Sequence, residues 1–187
     1  EIDVLMERRR SRRSFTADQL SQQELSFLLW ATQKVQRVIG DNYATLRAVP
    51  SGGARHPFET YLVVNRVEGL KAGLYRYLPL THQLVLLDAD PERPARSAVA
   101  CCSQEFIGES AVTFMWTCIP YRGEWRYGEA AHKTMVLDAG HLCQNLYLAC
   151  EAIGCGTCAV GAFNQLAVDT FLGVDGNEEF AIYVAPV

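Results

Sequence analysis

Apolar positions along the chain change their spacing several times, and each change marks an expected element. Residues 16–35, TADQLSQQELSFLLWATQKV, set Leu25, Leu28, Leu29 and Thr32 three or four apart behind a Ser21–Glu24 capping box, which predicts a helix. FETYLVVN (58–65), GLYRYLP (73–79) and HQLVLLD (82–88) are rich in β-formers and separated by short turns, as in an antiparallel meander. Residues 91–105, PERPARSAVACCSQE, read as a helix with Pro91 near its start. AVTFMWTC (111–118) is unbroken apolar sequence, suited to an interior strand. From 129 to 153, Met135, Leu137, Leu142, Leu146, Leu148 and Ile153 leave a long helix little polar face, so it belongs in a core or a subunit interface. Three glycines in GCGTCAVGAF (154–163) end it, Asn164 caps a short helix, and FAIYVAPV (180–187) closes the chain as a strand. At the other end, a short helix capped by Asp3 would carry Arg9 and Arg13 on one face. The sum is an α+β fold, a mostly antiparallel sheet flanked by helices, with residues 1–187 as a single domain.

Composition narrows the class without naming an activity. Of 187 residues, 49% are hydrophobic and 20% charged, which excludes disordered and collagen-like chains. No apolar run reaches the ~18 residues of a membrane span, and EIDVLMERRR has no secretory h-region, so no membrane partner and a cytoplasmic location are expected. Seven cysteines, an odd number at irregular spacings, fit reduced thiols better than a disulfide framework.

Charge adds one anomaly. The formal net charge is −4, yet Arg8, Arg9, Arg10, Arg12 and Arg13 crowd ERRRSRRSF near the start. A basic segment on an acidic chain points to an anion held locally. No aromatic residues are interleaved for base stacking, so nucleic acid is not the expected partner. Ser11 inside a set of guanidinium forks suits one phosphate. The competing reading is a solvated helix face.

Other motifs are weak singly. PSGGAR (50–55) lets a backbone approach a flat or charged ligand and offers Ser51 and Arg55 as donors, or it is an ordinary glycine turn; neither a Walker loop nor a dinucleotide fingerprint is present. The CxxC of Cys155 and Cys158 lacks the second CxxC of a zinc ribbon and the helix of a thioredoxin motif. Asp138 and His141, three apart on a helix, make no metal site, and His141 is expected as a packing histidine. No nucleophile elbow supports Ser-His-Asp hydrolysis.

Taken in order, RRSRRSF, PSGGARHPFETYLVV, GLYRY, WRYGEAAHKTMVLDAGHLCQNLYLACEAIGCGTCAVGAF and YVAPV resemble the FMN-dependent nitroreductase superfamily, in its SagB-type dehydrogenase branch, over essentially the whole chain. The resemblance implies a three-layer sandwich, an intertwined homodimer, and FMN at the subunit interface. It assigns Arg9, Arg10 and Ser11 to the FMN phosphate and ribityl chain, and Arg13 to the flavin N1–C2=O edge. Arg8 and Arg12 fall outside the motif and are expected to be solvated. Pro50, Ser51, Gly52, Gly53 and Arg55 match the loop that reaches the flavin from the second subunit. Ala159, Val160, Gly161 and Ala162 match the loop usually written PIGGF along the flavin ring, with Ala159 replacing proline and Ala162 replacing glycine. Gln104 resembles a side-chain amide contact to the pyrimidine end.

The implied activity is ping-pong hydride transfer through flavin N5, from NAD(P)H or another electron donor to a small-molecule acceptor, with no catalytic side chain and no metal. Azoline-oxidising relatives carry a Lys-Tyr pair ahead of the long helix. Arg126-Tyr127 stands there instead, and arginine cannot serve as a base. Many relatives also place basic phosphate ligands after the last strand, which leaves open whether the arginine run does more of that work here. Two rivals remain: a non-catalytic flavin-binding module in a larger complex, and a CxxC thiol oxidoreductase.

Overall fold

A computed structural model describes residues 1–187. The five strands of the main sheet run in the order β5-β4-β3-β6-β7, and every neighbouring pair is antiparallel. They are β3 (Phe58–Val64), β4 (Gly73–Leu78), β5 (Gln83–Asp88), β6 (Val112–Cys118) and β7 (Phe180–Pro186). The central strands, β3 and the apolar β6, pair along their full length and are buried at every position. Residues that alternate along them serve two separate cores. Leu62, Val64, Phe114 and Trp116 face α2 (Gln22–Thr32) and α6 (Ala130–Ala152), meeting Leu28, Leu142 and Leu146. Tyr61, Val63 and Met115 face α3 (Arg93–Ala100), α4 (Glu105–Glu109) and α7 (Gln165–Leu172), meeting Ala98, Ile107 and Val168. Two helical layers around one sheet make the expected three-layer α+β sandwich.

The capping box forms as its sequence requires: Ser21 Oγ accepts from the Glu24 N–H at 3.2 Å, and Glu24 accepts in return from the Ser21 N–H at 2.8 Å. Asn164 caps α7 through the Ala167 N–H at 2.9 Å. Three expectations change. α3 begins at Arg93, after Pro91, and stops at Ala100, because Cys102 and Ser103 take positive φ values and turn the chain before Gln104 starts α4. The short first helix, α1 (Ile2–Arg8), has Glu1 rather than Asp3 at its N-cap, and it ends before most of the arginines; Arg9 is extended, at φ −49° and ψ 123°. Arg9 and Arg13 therefore share no helical face. A hairpin, β1 (Arg37–Ile39) with β2 (Ala44–Leu46), occupies a region assigned no element, its turn built on positive φ at Gly40, Asp41 and Asn42.

Candidate functional site

After α1 the chain runs extended, and Ser11 forms a parallel bridge with Thr157 in the segment that follows α6. The Arg12 N–H donates to the Thr157 carbonyl at 3.0 Å. This lays the arginine segment beside residues 159–162. One hydroxyl fastens the two: Tyr147 Oη on α6 is 2.9 Å from Ser11 Oγ and accepts from the Ala159 N–H at 2.7 Å. The Arg9 guanidinium lies 5.2 Å from the centre of the same ring, a cation–π contact. Val160 is pinned by reciprocal hydrogen bonds to Val184 of β7, at 2.8 and 3.1 Å. Gln104 also reaches this loop, donating to the Ala162 and Cys101 carbonyls at 2.8 Å each. Its amide hydrogens hold the loop, and its carbonyl oxygen makes no bond within the chain.

The arginines divide by task. Arg12, expected to be a free solvated charge, instead pairs with Glu151 at 2.7 Å, and its stem fills the space above Gly156. Arg10 folds back on the Glu7 and Arg9 carbonyls, both at 2.8 Å. Arg13 is exposed and makes no ion pair within the chain. Beside them Gly161 is exposed with open space around it, and the Gly161 and Ala162 N–H groups bond to nothing in the chain. Guanidinium groups, a serine hydroxyl and free backbone N–H groups form a donor set that fits a phosphorylated, electron-poor ring such as FMN.

Residues 50–55 form a second cluster. Gly52–Ala54 is a 3-10 turn, with Gly53 at φ 60°, where a side chain would be strained. Asp138, buried on α6, holds the turn: it accepts from Ser51 Oγ at 2.6 Å and from the Gly52 N–H at 3.0 Å. Ser51 Oγ in turn accepts from the His56 N–H at 2.9 Å. His56 is itself buried; desolvation, reinforced by Arg47, pushes its imidazole down to about 4. His141 is not the packing group expected, because its side chain is 52% exposed and lies 3.8 Å from Asp138.

The two clusters do not meet within one chain. Asp138 and Tyr147 are nine residues apart on α6, about 14 Å along its axis and two and a half turns around it, which puts them on opposite edges of the buried stripe. The outward face between them carries exposed Val136, Leu137 and Gly140. A cavity of about 570 Å3 lies elsewhere, among Arg8, Arg12, Phe15, Glu24, Glu151 and Val187, and none of the expected FMN ligands lines it.

Sequence reasoning missed Tyr147 as the fastener and Asp138 as the anchor of the 50–55 turn. The signal was present for both. A phenol or a carboxylate inside the apolar stripe of a helix must find a partner. The cysteines need no such role: Cys158 is buried, and burial, with Glu24 adding to it, raises the Cys155 thiol and disfavours its thiolate.

A family model described as the Nitroreductase family matches residues 6–187. A protein of Methanocaldococcus jannaschii assigned to the nitroreductases is 32% identical over 185 residues, covering 99% of this chain and 88% of its own. The trifolitoxin-processing protein TfxB of Rhizobium leguminosarum is 30% identical over 133 residues, covering 69% of this chain and 36% of its own. A crystal structure from Anabaena variabilis, also assigned as a nitroreductase, superposes with a TM-score of 0.81 at 28% identity, over 99% of this chain and 37% of that one. This chain therefore spans about a third of the Rhizobium and Anabaena proteins.

Proposed function

From the premise that the chain belongs to the nitroreductase family, we propose that it is an FMN-dependent oxidoreductase of the SagB-type branch, acting as an intertwined homodimer. The observation that carries this reading is the Tyr147 hydroxyl, which joins Ser11 to Ala159 and so sets the arginine segment beside a loop with unpaired N–H groups. The likeness to the trifolitoxin-processing protein supports the branch.

In this reading Arg9, Arg10 and Ser11 bind the FMN phosphate and ribityl chain. FMN, when bound, supplies the hydride chemistry, between NAD(P)H or another donor and a small-molecule acceptor. The chain's own groups position and polarise. Arg13 places a cation at the N1–C2=O edge, which favours the reduced, anionic ring electrostatically. The Ala159–Ala162 backbone would lie along the ring, with the free Gly161 and Ala162 N–H groups available to it. Gln104 fixes the loop through the Ala162 carbonyl and presents its own carbonyl oxygen toward the pyrimidine end. Pro50, Ser51, Gly52, Gly53 and Arg55 close the ring's other side from the second subunit, which accounts for their separation from Tyr147 within one chain.

Purified protein should be yellow, release FMN rather than FAD on heating, and bleach anaerobically with NADH or NADPH. FAD, or no flavin after reconstitution with FMN, overturns the cofactor assignment. Bound FMN that no donor reduces would favour a flavin-binding module without turnover.

A further inference from the structure

Beside the 50–55 turn, two guanidinium groups are interleaved with three aromatic rings. Arg55 lies 4.7 Å from the ring centre of Tyr43 and 5.3 Å from that of Trp125. Arg126 lies 6.0 Å from the Tyr43 ring and 5.4 Å from the Tyr127 ring. Neither arginine takes part in any of the chain's ion pairs. Arg55 donates to the Gly53 carbonyl at 2.8 Å and the Tyr43 carbonyl at 3.1 Å, and Arg126 donates only to the Tyr43 hydroxyl. With five N–H donors in each guanidinium, most remain free. The nearby carboxylates are engaged, Glu124 with His132 and Asp138 with Ser51 and Gly52.

The frame behind this cluster is firm. α5 (Tyr121–Tyr127), which carries Trp125, Arg126 and Tyr127, is tied to the sheet by an ion pair between Arg122 and the buried Glu59. Tyr127 Oη sits so close over Gly53 that a Cβ there would approach it to 2.3 Å. Tyr43 comes from the other side, at the end of the β1–β2 turn, and is 55% exposed; Trp125 is 52% exposed. Flat rings that stay in solvent while holding cations in place form a receptor for something flat and negatively charged.

We propose that Arg55 and Arg126, held among Tyr43, Trp125 and Tyr127, bind the carboxylate of a flat aromatic electron acceptor and select it over neutral analogues. The site rests on the reading above for its placement next to the flavin and for its ligand's role as electron acceptor. The guanidinium forks receive the carboxylate oxygens, and the rings of Tyr43 and Trp125 stack on the acceptor's aromatic plane.

The test is titration calorimetry of the FMN-loaded protein with 4-nitrobenzoate and with 4-nitrobenzyl alcohol, followed by steady-state reduction of both. The carboxylate should bind at least tenfold more tightly than the alcohol. Arg126→Gln should erase that preference, while Arg126→Lys should keep part of it. Lys71→Gln, which removes a charge at the far end of β3, should leave it intact. Trp125→Ala should weaken both ligands. Equal binding of carboxylate and alcohol overturns the proposal, whatever the turnover. A preference for NADPH over NADH that disappears in Arg126→Gln, with 4-nitrobenzoate affinity unchanged, also overturns it and assigns the cations to a donor phosphate. Failure to bind or reduce FMN would sink the oxidoreductase reading instead, and the same calorimetric comparison on the flavin-free protein would then decide the anion site.

Discussion

The Tyr147 hydroxyl accepts from the Ala159 N–H at 2.7 Å and sits 2.9 Å from Ser11, so one oxygen serves two segments distant in sequence. Tyr147→Phe keeps the ring under Arg9 and removes only that oxygen. Leaving a half-buried N–H unpaired costs about 1–3 kcal/mol, so denaturant unfolding should register a loss of that size, and FMN should dissociate more readily. Unchanged stability and unchanged FMN affinity would show that the hydroxyl fastens nothing. His56 makes a pH-dependent contribution. Its imidazole is held down to about 4 against an ordinary 6.5, by burial first and by Arg47 second. Between those values the unfolded chain takes up a proton that the folded chain refuses. This contribution is therefore complete above pH 6.5 and drains away as the pH falls toward 4, by about 3 kcal/mol in all. His56 has φ 44°, a conformation asparagine tolerates. His56→Asn should therefore flatten the decline in unfolding free energy between pH 7 and pH 4.5; an undiminished slope would assign it to other groups.

Among the elements, α6 carries the most chemistry. Asp138→Ala would strip the acceptor from Ser51 Oγ and the Gly52 N–H together. Hydrogen bonds to a charged group are worth roughly 1.5–3 kcal/mol each, so a destabilisation of about 3 kcal/mol is expected, with faster amide exchange at Gly52. Exchange as slow as in the parent would mean that the 50–55 turn holds itself. α2 and α7 were legible in the sequence because their capping residues form the bonds expected of them, and α6, β3 and β6 because their apolar residues agree with their burial. The first arginine helix was misread because local spacing says nothing about Thr157, and the pairing of Ser11 and Arg12 with Thr157 draws the chain out straight after Arg8. The β1–β2 hairpin has strands of only three residues, too short to show an alternation; its one signal was the Gly40-Asp41-Asn42 turn. The site itself was half legible. The motifs named its parts, but the side chains that hold them, Tyr147 and Asp138, lie within a stripe that reads as core.

At the scale of the whole molecule, the outward face of α6 exposes Val136 by 67% and Leu137 by 54%, next to Gly140, which leaves room for close approach. α1 adds exposed Ile2 and Met6. Apolar surface of this kind on a helix that also bears both halves of the proposed site is suited to a second copy of the chain. Light scattering should return twice the chain mass. Leu137→Glu should shift the protein toward monomer and release FMN with it; a monomer that retains FMN would contradict a shared site.

In the proposed dimer one helix would belong to two sites at once. The Tyr147 edge of α6 would serve the FMN bound mainly by its own subunit, and the Asp138 edge the FMN of the other. Any shift or stiffening of α6 on binding the first FMN would then be felt at the second, so the two binding events would be thermodynamically linked. A flavin titration of the apoprotein should then depart from two identical, independent steps, and Asp138→Ala, which frees the turn from the helix, should restore independence.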